Sequence, residues 1–423
     1  MPKAASSPRL RPVETIFVQD RVHGRVLMLR DTERIAPGAV TVPADLAAVV
    51  GRFDGLRTTA QIAVEATRAL GRPIDVELVE QLAAELDAAS MLDTPRFHAR
   101  RREVVRDFAE AAVRPAAHAG GAYHDDAGKL VRYIEDECLG RVPARAARNG
   151  DGDGDGDGDG AVVGLCAPHM DLWRAAAGYG HAYRALGAGL DARVDTFVLL
   201  GTSHAPMTRP FAVCAKAFAT PLGTLEPDRE ALRELEEGSR FDVRADEYLH
   251  RGEHSLEFQA VFLRHALGER GPEARIVPIL CGLGDAQARG SDPARDPEAE
   301  SFLVALRRLV ERRAGRVLVV AGADLAHVGP RFGDAGPLDE RGRERLRDRD
   351  AESIALAVGR DAPGFFRQVA SDLGTRRVCG LGPIYTLLRV LPGGRGERLH
   401  YDQCVDPDEG SIVSHTSLAY YAG

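Results

Sequence analysis

AVVGLCAPH, residues 161–169, is a short unbroken apolar run that ends in a histidine, and the chain repeats the arrangement twice more. TFVLLGTSH (196–204) and RVLVVAGADLAH (316–327) have the same form, and RIVPIL (275–280) adds a fourth apolar run. Consecutive Val, Leu and Ile residues without polar alternation describe strands covered on both faces, as in a parallel sheet. Helical patterns lie between and after them, at Leu256–Ala266, Ser301–Arg313 and Asp339–Val358. The rhythm is βαβ. It predicts an α/β fold with a mostly parallel central sheet flanked by helices.

In an open α/β sheet, ligands bind outside the carboxyl ends of the strands. Side chains just beyond those ends meet in space however far apart they lie in sequence. His169, His204 and the pair Asp324 and His327 occupy that place after three different strands. One such histidine is ordinary packing; three strand ends carrying His or Asp point to a shared pocket. A transition metal needs N, S or O donors from about three directions, and neutral imidazole is the commonest. His169 and His204 supply two. Cys379, in RVCGLGP (377–383), is the candidate third. Its flanking glycines permit close backbone approach, and Gly382-Pro383-Ile384 is suited to open a helix. Three protein ligands leave a coordination position open, the arrangement of a reactive rather than a structural metal site.

The other histidines have weaker context. His250 and His254 stand four apart, but Gly252 lies between them, and Glu253-His254 reads equally as a helix start. His254 and His265 share a helix face yet lie about 16 Å apart at 1.5 Å per residue. His23, His98, His118, His124, His181, His400 and His415 show no convergent pattern; most are expected at the surface, and His415 in a closing strand. The alternating Gly–Asp tract at 150–160 matches a calcium loop through Asp151, Asp153, Asp155 and Gly156. That loop requires a bidentate Glu at its twelfth position, which here is Val162. The tract's composition predicts a disordered surface loop instead.

The 423 residues exceed one ordinary core, so two domains are expected. Residues 1–95 carry two β-like runs, ETIFV (14–18) and VLML (26–29), followed by three helical patterns. The first holds Leu46, Val49, Val50 and Phe53, the second follows Thr58-Thr59 with Ile62, Ala66 and Leu70, and the third opens near Asp75 with Leu78, Leu82 and Leu86. These predict a small winged-helix-type α+β domain. A charged helical linker is expected over 96–113 and the main domain over 114–423. The balance of 55 basic and 63 acidic residues, net −8, argues against nucleic-acid binding. No apolar run nears the roughly 18 residues that cross a bilayer, and MPKAASSPRLRPVETIF lacks a signal h-region. No membrane partner and a cytoplasmic location are expected. The six cysteines are scattered without CxxC pairing and read as buried small hydrophobes, Cys379 apart.

Two resemblances follow from these motifs. Asp54-Gly55-Leu56-Arg57-Thr58 with Ile62 resembles a stretch of PqqD-like domains, which implies binding of a peptide or leader segment. In the main domain, APH (167–169), GTSH (201–204), TPLG (220–223), EHSLEFQ (253–259), IVPIL (276–280), GADLAHVG (322–329) and CGLGPI (379–384) occur in an order that resembles the Memo family, known in prokaryotes as AmmeMemoRadiSam system protein B. Arg114-Pro115 with Ala119 to Tyr123 is similar to that family's opening signature. The resemblance implies a fold like that of class III extradiol dioxygenases, in which two histidines and a carboxylate hold Fe(II) and another histidine is the acid/base. Carried over by motif, His169 and His204 match the histidine ligands, Cys379 takes the carboxylate's place and His327 matches the acid/base. Asp324, Glu253 and His254 would line the pocket. One metal ion, iron or copper before zinc, is implied as cofactor, with a radical-SAM protein and an AMMECR1-like protein as system partners.

Two departures from the family pattern matter. A thiolate is softer than a carboxylate and favours copper, zinc or thiolate-tolerant iron, and it is itself oxidisable. The family's APHAGY reads APHMDL at 167–172, which alters the pocket rim. With the resemblances in view, three functions stand open. The first is a mononuclear metal oxidoreductase of dioxygenase-like type acting on an unknown small molecule or peptide, with His327 and Asp324 in catalytic roles. The second is a metal-binding or adaptor protein without turnover, recruiting a partner through the N-terminal domain. The third is a metal-free nucleophile, Cys379, activated by His327 or His169.

Overall fold

The computed structural model describes residues 7–20, 22–143, 160–284, 290–372 and 374–423. The Gly–Asp tract expected as a disordered loop lies, as far as Asp159, outside them. The chain divides into a smaller unit, Met1–Ala111 with Arg331–Gly333, and a larger one, Ala112–Pro330 with Asp334–Gly423.

In the smaller unit β1 (Glu14–Asp20), β2 (Gly24–Arg30) and β3 (Val40–Pro43) form an antiparallel sheet in that order. The third strand escaped the sequence reading because VTVP is too short to show a period. Helices α1 (Ala47–Val50), α2 (Thr59–Leu70) and α3 (Val76–Ala88) share a core with the sheet through Leu29, Val49, Ile62, Val79 and Leu86. Thr58 starts α2 with a reciprocal cap: its hydroxyl accepts from the Gln61 N–H, and the Gln61 side chain accepts from the Thr58 N–H. The charged stretch expected as a linker is helix α4 (Pro95–Glu110), whose Phe97 and Val104 pack with Ile35.

The larger unit is one mixed sheet between helices. Its strands are β4 (Val113–Arg114), β5 (Val162–Ala167), β6 (Thr196–Thr202), β7 (Phe211–Val213), β8 (Ala217–Thr220), β9 (Gly223–Pro227), β10 (Arg275–Cys281), β11 (Val317–Gly322), β12 (Asp324–Val328), β13 (Arg395–Val405) and β14 (Ile412–Tyr421). They lie in the order β12-β14-β5-β11-β6-β10-β9-β8-β4, with β13 added on β14 and β7 on β10. The four apolar runs of the sequence are β5, β11, β6 and β10, mutually parallel and side by side at the centre. Antiparallel pairs extend the sheet on both sides. Val198, Leu200, Val277, Ile279 and Val319 are buried in one core with Phe302, Leu306, Phe365 and Tyr385 from the covering helices.

Those helices are α5 (Ala127–Arg132), α6 (Leu172–Gly189), α7 (Arg229–Gly238), α8 (His254–Leu267), α9 (Pro297–Arg312), α10 (Glu340–Val358), α11 (Ala362–Ala370) and α12 (Leu381–Val390). Six of these eight begin on an aspartate whose side chain accepts from a first-turn N–H: Asp126, Asp171, Asp228, Asp296, Asp339 and Asp361. The two exceptions are α8, which begins on Glu253, and α12, which begins on Gly380. Both of those helix starts lie at the cluster described next. No helix among the described residues is long and apolar enough to cross a membrane.

Candidate metal centre

β5 and β6 flank β11 in the sheet, so the segments leaving their carboxyl ends converge over the end of β11. His169 follows β5. Its backbone N–H donates to Oδ1 of Asp324 at 3.0 Å, and its Nδ1 stands 3.0 Å from the carbonyl of Gly322. A carbonyl can only accept, so Nδ1 carries the proton and Nε2 is left as the electron-pair donor. His204 follows β6, with Nδ1 at 3.0 Å and backbone N–H at 3.0 Å from the two carboxylate oxygens of Glu253. Nε2 of His204 is the nitrogen Glu253 does not touch. A histidine ligand oriented through its other ring nitrogen is the usual build of a metal site.

Cys379 comes from far along the chain, just before α12. Its carbonyl accepts from Thr202 Oγ1 at 2.9 Å, and the next N–H, of Gly380, donates to the carbonyl of Asp324 at 3.0 Å. These bonds set Sγ 3.2 Å from Nε2 of His169, within hydrogen-bond reach of the imidazole lone pair, and 3.9 Å from the carbonyl of Asp324. The donor atoms of His169, His204 and Cys379 all lie within 4.8 Å of one another. In a tetrahedral site with metal–sulfur near 2.3 Å and metal–nitrogen near 2.0–2.1 Å, sulfur and nitrogen stand about 3.6 Å apart. For that pair a cation between them asks for a movement of only a few tenths of an ångström, and the His204 donor closes in from within 4.8 Å. The two imidazoles and one thiol fit a soft or borderline transition metal.

Burial favours the neutral forms of His169 and Cys379. Burial lowers the proton affinity of His169 against the opposing pull of Asp324. Burial and the Asp324 carboxylate push the Cys379 thiol well above its ordinary value, a preference that a bound cation reverses by stabilising the thiolate. Burial alone would raise the Glu253 carboxyl, but His204 and His254 hold it well below the usual range.

Glu253 and His254 reach the cluster because α8 starts directly over the strand ends. A Cβ at Gly201 would stand 2.5 Å from Ser255 Oγ, and one at Gly322 would stand 2.4 Å from the Ser255 carbonyl. Only glycine at both strand ends lets the helix sit this low, which gives a physical reason for the G of GTSH and of GADLAH. The ring of His254 lies 4.5 Å from that of His204 and 5.4 Å from that of His169. His327 lies on β12, half-buried, with Nδ1 3.2 Å from the carbonyl of Leu325. Burial pushes its pKa down to about 4, against the opposing pull of the Asp324 carboxylate.

Two readings of the sequence are corrected here. His118, expected at the surface, is half-buried with its ring edge-on to His254 at 5.6 Å. It is held by Glu257, fully buried, which accepts from the N–H groups of Ala117 and His118, from Tyr123 and from the equally buried Arg114, and stands 2.9 Å from Nδ1 of His118. The spacing of Glu253 and Glu257, one helical turn apart in EHSLEFQ, was the signal that could have found this second Glu–His pair. His181, His400 and His415 also converge, with ring separations of 4.7 and 5.8 Å between α6, β13 and β14. His250 does not approach the cluster as a partner of His254; it is buried with Nε2 3.1 Å from the carbonyl of Ala212. Cys138, Cys166, Cys214 and Cys281 are buried, while Cys379 and Cys404 are half-buried.

Comparison with known proteins identifies the family. A family model described as Memo-like protein matches residues 114–419. A MEMO1 family protein of Aquifex aeolicus is 27% identical over 408 residues, 96% of this chain and 98% of its own length. One of Thermus thermophilus is 29% identical over 346 residues, covering 81% of this chain and 93% of its own. One of Methanosarcina barkeri is 28% identical over 262 residues, 61% of this chain and 86% of its own. Among solved structures, that of an uncharacterized protein from Escherichia coli K12 aligns with 61% of this chain and 99% of its own, with a TM-score of 0.34 and 13% identity.

Proposed function

The chain belongs to the Memo family, and from that premise we propose that it holds one transition-metal ion with His169, His204 and Cys379 and works as a mononuclear metal oxidoreductase. The observation that carries the proposal is the cluster itself: three donors within 4.8 Å, with the outer nitrogens of both imidazoles committed to Gly322 and Glu253. A bound ion would supply Lewis acidity and redox chemistry at the coordination position the protein leaves open. The chain's own groups do the rest. Glu253 and the Gly322 carbonyl orient the two imidazoles, Asp324 ties the His169 backbone to β12, and His327, uncharged at neutral pH, is the base that takes a proton from a bound substrate. The donor set suits copper, zinc and thiolate-tolerant iron, and the redox reading selects iron or copper before zinc. The family's likeness to class III extradiol dioxygenases supports oxygen as the co-substrate.

The thiol of Cys379 favours a second reading. A soft, oxidisable ligand in place of a carboxylate suits holding a metal without turnover. In that case the smaller unit, resembling PqqD-like domains, would recruit a peptide or a radical-SAM or AMMECR1-like partner. Elemental analysis of anaerobically purified protein tests the centre: one ion per chain is expected, and its loss in His169→Ala and in Cys379→Ser. Equal metal in all three proteins would rule the centre out. Oxygen uptake by the metal-loaded protein then separates the two readings, since only the first consumes it. A metal-free nucleophile predicts alkylation of Cys379 at the same rate with and without metal, whereas both metal readings predict protection.

A further inference from the structure

Glu253 and His254 also complete a second ligand set. His204, Glu253 and His254 each offer a donor atom, and those atoms again lie within 4.8 Å of one another. Oε1 of Glu253 stands 3.0 Å from Nδ1 of His204 and 3.3 Å from Nδ1 of His254. This set shares His204 with His169 and Cys379, and it differs from theirs in the feature that decides cation preference. One set contains a thiol and the other a carboxylate.

We infer that the pocket offers two overlapping cation positions sorted by softness, a thiolate position at His169, His204 and Cys379 and a harder position at His204, Glu253 and His254. The inference rests on the metal-centre reading above for its first position. Thiolate ligands select soft cations such as Cu(I), whereas carboxylates suit Mn(II), and two imidazoles with one carboxylate is the donor composition of non-haem Fe(II) sites. The carboxylate missing at the place of Cys379 is thus available from the start of α8, 3.0 Å from Nδ1 of His204. A neutral imidazole has one lone pair, so His204 serves one ion at a time and the two positions compete. With a soft ion bound, Glu253 orients His204 through Nδ1; with a hard ion bound, the same carboxylate becomes a ligand and His204 presents its lone pair to that side.

The competing positions are separated by crossed substitutions in the full chain under anaerobic conditions. Cu(I) affinity is measured against a chromophoric chelator, and Mn(II) affinity by the paramagnetic resonance of the free ion. Cys379→Ser is expected to weaken Cu(I) by at least ~100-fold and Mn(II) by less than ~3-fold, and His254→Gln to do the reverse. Cu(I)-saturated protein is expected to bind no Mn(II). If both substitutions weaken both ions alike, there is one position, and the inference falls while the metal centre stands. If Cys379→Ser leaves Cu(I) affinity unchanged, the metal centre itself falls and takes the inference with it. Far-UV circular dichroism checks the fold of each protein, with His254→Ala as the second variant.

Discussion

Replacing Gly380 with alanine tests whether Cys379 is placed by contact between two backbones. Gly380 has a φ of −74°, which any residue adopts, so the substitution adds a methyl group and no backbone strain. That methyl would lie 2.2 Å from the carbonyl oxygen of Asp324 and 2.8 Å from Cβ of Ala323. Ordinary contact begins near 3.4 Å, so the start of α12 has to withdraw from β12 by about 1 Å. The segment that withdraws carries the hydrogen bond from Gly380 to Asp324 and the sulfur that stands 3.2 Å from His169 Nε2. Overpacking of this kind costs ~1–3 kcal/mol, and a stretched buried hydrogen bond adds ~0.5–1.5 kcal/mol. The larger unit should lose about 2–4 kcal/mol of stability, and metal affinity should fall ~10–100-fold as the thiol leaves its position. Calorimetric denaturation and metal titration read the two effects. Gly187→Ala is the matched control: it lies exposed on α6 with nothing within 4 Å of the added carbon, so it should stabilise by ~0.5–1 kcal/mol. Unchanged melting and unchanged affinity in Gly380→Ala would refute placement of Cys379 by backbone approach.

Three further outcomes are expected. Glu257→Gln keeps the volume but removes the charge opposite Arg114, with both side chains fully buried; chemical denaturation should show a loss of ~3 kcal/mol or more. His250 is held at a pKa of about 4 by burial, against an ordinary 6.5. Between those values the unfolded chain binds a proton that the folded one does not, so its contribution is fully present above pH 6.5 and is lost as pH falls toward 4. The shift of 6.5 − 4 = 2.5 pH units is worth roughly 3 kcal/mol, and urea denaturation at pH 7.5 and 4.5 should show a smaller difference in His250→Gln than in the wild-type chain. Thr58→Ala removes the reciprocal cap of α2 and should cost ~1 kcal/mol, read as faster amide exchange in the first turn of that helix.

How much of this was legible beforehand varies by element. The central strands β5, β6, β10 and β11 were readable because burial on both faces forces runs of Val, Leu and Ile, a local property of each strand. The strands outside them were mostly not. β14 was anticipated as the closing strand around His415, although it is rich in Ser, Thr and His; β13 has an irregular burial pattern, and β4, β7, β8 and β9 are only two to five residues long. Their pairing depends on neighbours distant in sequence, so no local periodicity marks them. The Asp caps were written in the chain one residue at a time, and so were the glycines, but their reasons were not. Nothing in GTSH or GADLAH says that Ser255 will press on both.

For the cluster itself, sequence alone determined which residue types could bind a metal and that His169, His204 and Asp324 would follow strands, because a strand's carboxyl end is a topological position that motif order already specifies. Tertiary structure decided which nitrogen of each imidazole is available, that Cys379 lies within 3.2 Å of His169, and that His118 belongs beside His254 while His250 does not. Those are matters of hydrogen-bond partner and ångström-scale approach between segments as many as 210 residues apart. A chain fixes its donors by composition, but a lone pair is aimed only by the group bonded to the other side of the ring.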